Sequence, residues 1–104
     1  MITAKEAKEL SDKKFSVIEE KAMAWAESEL SFLEEHILDA IENGLYSTSY
    51  FWGNSILTDA GITNEAAKKA MLKTLHNLGY TVTASPETDR LRIYVRWEWA
   101  EWDI

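Results

Sequence analysis

Cysteine is absent from the 104 residues, which removes disulfides, thiolate metal sites and thiol nucleophiles together. Proline occurs once and glycine four times, too sparsely for a flexible linker that would divide the chain. No apolar run approaches the roughly 20 residues of a membrane span. The opening segment Met1-Ile2-Thr3-Ala4-Lys5-Glu6 alternates charge where a secretory leader would need an apolar stretch. The expectation is a cytoplasmic protein that does not enter a membrane. The phosphate-cradling patterns G-x-x-x-x-G-K-[ST] and G-x-G-x-x-G are also missing, and the glycines stand singly at caps and turns.

What is present is an acidic, globular composition: 46% hydrophobic, 28% charged and a net charge of −7. The length suits one ordinary core, hence a single domain over 1–104, with a helical segment at 1–44 and a strand-helix-hairpin unit at 45–104. The charge is uneven. Residues 1–52 hold five lysines and eleven acidic side chains, whereas residues 53–104 hold six basic and seven acidic ones. A helical half of that sign repels phosphates, so direct binding to duplex nucleic acid is not expected.

Thr3 stands three residues before Glu6, the spacing of a capping box, and predicts a helical start there. Ser11-Asp12 is a second N-cap signal, at which the chain either turns or continues. From Lys13 the pattern is strongly helical: Phe15, Ile18, Ala22, Ala26, Leu30, Leu33, Ile37 and Ile41 recur at steps of three or four. Glu20, Glu27, Glu34, Glu35 and Glu42 keep to the other side, and Asn43-Gly44 ends the helix. Leu45 to Trp52 reads as a strand, Ser55 to Ala60 suits a single helical turn, and Thr63 or Asn64 caps a second helix with the stripe Ala67, Met71, Leu75 and Leu78. Gly79 closes it, with Tyr80 predicted to fold back toward Leu75. Tyr80–Ala84 and the run from Leu91 alternate as strands and most simply form an antiparallel hairpin. The first strand completes a small antiparallel sheet with helices on one face, an α+β fold.

A helix from Lys13 to Asn43 spans about 46 Å at ~1.5 Å per residue, against a diameter of about 33 Å for a compact domain of this length. Its apolar stripe, widened by Met23, Trp25, Phe32 and Leu38, exceeds what one sheet face covers. Burial against a second copy, most simply as an antiparallel two-fold helix pair, is therefore expected. A break near Ser28 or Ser31 is the alternative. The contact face assigned to the helix comprises Phe15, Ile18, Trp25, Phe32 and Leu33.

No constellation points to catalysis. Glu35 and Asp39 share a helical face and His36 stands three residues from Asp39, but a metal site needs three or four converging ligands and no second histidine lies nearby. No metal, cofactor or catalytic residue is therefore assigned, and the reading is non-enzymatic. Arg92, Tyr94 and Arg96 project from one face of the last strand and, with Lys69 and Lys73, form a candidate anion or nucleotide site. The plainer reading, and the one preferred, is an outward strand face of solvated charge paired to Asp89 and Glu98. In the terminal run, Trp97 is expected in the core, while Trp99 and Trp102 are candidate anchors for a partner.

Four segments carry a resemblance: Thr3-Ala4-Lys5-Glu6-Ala7, Ile41-Glu42-Asn43-Gly44, Leu78-Gly79-Tyr80-Thr81-Val82 and the Trp-bearing strand Ile93 to Trp97. Together they resemble small accessory proteins of tailed bacteriophages, which join a long charged helix to a strand-helix-strand-strand unit. The resemblance implies a phage or prophage origin, a host-cytoplasmic location, and a non-enzymatic role on an unidentified host or phage protein. It transfers no functional residues. The function expected is protein–protein interaction, as a homodimer or higher oligomer. The alternatives are a small nucleotide-binding module, such as a sponge for a host signalling nucleotide, and an acidic mimic of nucleic acid built on the five glutamates named above.

Overall fold

The computed structural model describes residues 1–85 and 87–98. In chain order the elements are α1 (Ala4–Glu42), β1 (Ser47–Gly53), α2 (Asn54–Asp59), α3 (Asn64–Asn77), β2 (Thr81–Ser85) and β3 (Arg90–Arg96). The fold is α+β: one long helix, then a three-stranded antiparallel sheet with its helices on one side.

The signals that left α1 open to a turn or a break are absorbed within a continuous helix. Thr3 Oγ1 accepts the Glu6 backbone N–H at 3.2 Å, and its hydroxyl donates to Glu6 Oε1, also at 3.2 Å. Asp12 accepts from Lys8 Nζ at 2.9 Å one turn earlier, a hydrogen bond that raises the pKa of the lysine. The Ser28 hydroxyl donates to the carbonyl of Trp25 at 2.7 Å, satisfying itself inside the helix instead of breaking it. The helix closes at Gly44 (φ 75°), where the N–H of Leu45 reaches the Ala40 carbonyl and that of Gly44 the Ile41 carbonyl. Its 39 residues account for the 59 Å long axis of the molecule.

α3 has the predicted ends. Thr63 Oγ1 accepts from the Ala66 N–H at 3.1 Å, and Gly79 (φ 94°) lets the Tyr80 N–H return to the Leu75 carbonyl at 3.1 Å.

The sheet order is β1-β3-β2, so the last strand is central, paired antiparallel on both sides. Trp52 lies opposite Leu91 and Tyr50 opposite Ile93 on one side; Ala84 faces Ile93 and Val82 faces Val95 on the other. These residues form the inner face. It packs on Ala66, Ala67, Ala70, Met71 and Leu75 of α3 and on Ala22, Ala26, Leu33 and Ile37 of α1, with Leu57 of α2 filling the end. Small residues on both helices let them approach the sheet and each other closely, while Leu, Ile and Met supply the volume. Trp97, as expected, packs against this core and meets Tyr80 edge-on at 6.3 Å.

The core consumes only part of α1. Its buried residues run from Ala22 to Ala40. Over residues 1–17 every side chain is exposed except Ala7, which is half-buried. The overhang anticipated from the length of the helix is therefore confined to its N-terminal end.

Candidate interaction surfaces

Three surfaces come from the sequence reading: the helix stripe, the basic strand with the α3 lysines, and the tryptophan tail.

The five helix residues assigned to a contact face separate. Leu33 is enclosed in the core, 1% exposed, and is unavailable to a partner. Ile18 and Trp25 are partly buried against the same core, and Trp25 stands edge-on to Trp52. Phe15 lies at the margin, with Lys69 Nζ 5.8 Å from its ring centre. Only Phe32 is plainly outward, 54% exposed. The correction has a simple cause: the regular i, i+3, i+4 stripe is the face the domain itself covers, and periodicity alone does not say who covers it.

The arginines lie on the outer face of the sheet, which no helix among the described residues covers. Arg90, Arg92, Tyr94 and Arg96 alternate outward along β3, with Phe51 and Ser49 beside them on β1 and Thr83 and Ser85 on β2. Glu87 occupies two of the guanidinium groups, its carboxylate oxygens standing 2.9 Å from Arg92 Nε and 2.7 Å from Arg90 Nε. Both guanidinium groups also lie over the Phe51 ring, at 5.1 and 5.3 Å. Arg96 is the one arginine of β3 without an ion pair among the described residues.

Lys69 and Lys73 do not join them. Both belong to α3, on the opposite side of the sheet, where they line a shallow groove with Leu72, His76 and Val82. Lys69 is directed at Glu19 of α1, 3.7 Å away. The five-residue anion site drawn from the sequence is therefore split by the thickness of the domain. What sequence could not reveal was the side of the sheet on which α3 packs; Glu87, three and five residues before its arginine partners, went unnoticed in the loop.

Among the described residues no three His, Asp or Glu side chains converge as metal ligands. His36 Nδ1 lies 3.2 Å from the Phe32 carbonyl, and its ring meets Tyr50 edge-on at 4.5 Å. Glu20, Glu27, Glu34, Glu35 and Glu42 are all exposed along α1. Trp99 and Trp102 lie outside the described residues. Among the described residues no helix is long and apolar enough to cross a membrane.

The geometry thus defines a class by shape: a small α+β domain whose first helix projects beyond its own core. No family model matches the chain, and comparisons with curated proteins and with solved structures find no match.

Proposed function

We propose that this chain is a non-enzymatic accessory protein that acts by binding protein, with the projecting end of α1 as its contact element. The observation that carries this reading is the projection itself. Residues 4–17 form about 21 Å of helix, at ~1.5 Å per residue, that contribute no buried side chain to the core and touch the domain at Phe15, yet bear Leu10 and Val17 in the open. A lone helical segment of that length is marginal in water, and its stability normally comes from packing an apolar face. A host or phage protein as partner fits the resemblance to phage accessory proteins. A nucleotide sponge gains less support, since Glu87 neutralises two arginines and the lysines stand on the far side.

The test pairs Leu10→Ser and Val17→Ser in one variant. Loss of a specific protein contact with unchanged thermal unfolding of the domain is the expected result. A nucleotide-induced rise in melting temperature that Arg92→Ala with Arg96→Ala removes would establish the anion reading in its place.

A further inference from the structure

We infer that the partner of α1 is a second copy of this chain, docked antiparallel along the helix face opposite the core, with the two-fold axis at Ala24. The inference rests on the interaction reading and names its occupant.

Leu10, Val17, Ala24, Ser31 and Leu38 follow one another at intervals of seven, so they form a single line along α1 that drifts only about 20° per interval. The line runs along the side of the helix away from Ala22, Ala26, Leu33 and Ile37, which face the core. All five are exposed: Leu10 at 57%, Val17 at 46% and Leu38 at 53%, with Ala24 and Ser31 also open. This is a different face from the stripe that suggested self-association in the sequence.

The line is suited to self-pairing in reverse. About the centre at Ala24, Leu10 comes opposite Leu38 of the partner subunit and Val17 opposite Ser31 of the partner subunit. Ala24 meets its own copy, where two small side chains permit close approach. The centre of pairing lies within a residue of the midpoint of α1, so each projecting N-terminal end is covered by the other chain's C-terminal half. Both domains lie on the outside and do not obstruct one another.

The charges favour the same arrangement. Residues 4–21 hold five lysines and five acidic residues, whereas residues 22–43 hold six acidic residues and no lysine or arginine. Within one helix this runs against the macrodipole, with no basic residue in the last turn. Reversed pairing sets Lys13 and Lys14 against Glu34 and Glu35 of the partner subunit, twice by symmetry. A parallel pair would stack the acidic halves on each other. One like-charged approach remains, Glu20 beside Glu27 of the partner subunit.

Sedimentation equilibrium of the wild-type chain at micromolar concentration should give the mass of two chains. Lys13→Glu with Lys14→Glu should weaken association about tenfold or more, since four surface pairs turn repulsive; adding Glu34→Lys and Glu35→Lys should restore it. The absence of native cysteine makes register directly readable. Leu10→Cys mixed with Leu38→Cys should form a disulfide-linked heterodimer, and Leu10→Cys alone should not link to itself. A wild-type monomer, self-linking of Leu10→Cys, or charge reversal without effect would each overturn the inference. A monomer whose separate protein contact is still lost with Leu10→Ser and Val17→Ser would overturn the dimer alone and leave the interaction reading standing.

Discussion

Trp25 of α1 meets Trp52 of β1 edge to face, with ring centroids 5.2 Å apart and planes at 69°. Trp52 in turn contacts Tyr50 at 4.7 Å, and Tyr50 contacts His36 at 4.5 Å, so a file of four rings ties the long helix to the edge strand. The file fixes the middle of α1, while Ile18, Ala22 and Met23 extend its packing toward the N-terminus, so α1 belongs to the domain from about Ile18 onward and its first turns lie outside. The division between anchored and projecting helix, on which the functional reading depends, is therefore set by where the aliphatic packing ends, near Ile18, with the aromatic file holding the part that follows.

Trp52→Ala should lower unfolding stability by about 3–5 kcal/mol, the usual range for emptying a buried aromatic site, since Trp52 is 3% exposed. Trp25→Ala, only partly buried, should cost less. Urea unfolding followed by far-ultraviolet circular dichroism measures both, and equal losses would contradict the burial difference. Near-ultraviolet dichroism should weaken in either variant as the paired indoles are separated.

The two threonine caps offer an internal contrast. Thr63→Ala removes the acceptor for the Ala66 N–H on a helix whose inner face is core, and should cost about 1 kcal/mol of global stability. Thr3→Ala removes the same kind of bond from an end that packs on nothing, so its effect should be local. Hydrogen exchange should show faster opening of the first turns with Thr3→Ala and an unchanged urea midpoint. A midpoint shift equal to that of Thr63→Ala would mean the first turns are coupled to the core.

Those caps were legible in the sequence because capping is local chemistry: a hydroxyl three residues before the N–H it accepts, and a glycine where the backbone turns left-handed. The alternation of Leu91, Ile93 and Val95 was legible for the same reason, and it located the inner face of the sheet. Which helical face the domain would claim was not legible. α1 carries the dense stripe through Leu33 and the sparse line through Leu10, Val17 and Leu38, and periodicity made the dense stripe the candidate docking face when the core had already taken it. The mismatch between Lys69 and Arg92 has a similar origin, since strand and helix each display their charges locally while only the packed layer order says which side they reach.

Glu87 holds Arg90 and Arg92 together from the loop, and all three side chains are largely withdrawn from solvent. Glu87→Gln should destabilise the domain by about 1–3 kcal/mol, because Arg92 loses its charged hydrogen-bond acceptor and Arg90 is left with Asp89 as its only ion-pair partner among the described residues. It should also make the outer sheet face more cationic. Binding of a polyphosphate, measured by fluorescence anisotropy at low salt, should be stronger for Glu87→Gln than for wild type. Equal binding would mean that neutralisation by Glu87 is not what limits the face.

Glu20 supplies the sharpest test of the paired-helix arrangement, because it is the residue that arrangement disfavours. It is exposed and makes no ion pair among the described residues. In the antiparallel register it approaches Glu27 of the partner subunit, so repulsion occurs twice per dimer. Glu20→Lys converts both approaches to attraction, and exposed pairs of this kind contribute roughly 0.2–1 kcal/mol each. The dimer should therefore tighten by a few-fold to about tenfold at low salt, with the gain shrinking as salt rises toward 1 M. A parallel pair sets Glu20 beside its own copy, so Glu20→Lys only exchanges one like-charged contact for another, and a dimer formed through a different surface leaves Glu20 in solvent; neither predicts such a gain. Sedimentation of Glu20→Lys beside wild type, across a salt series, separates these outcomes without depending on a variant that loses function.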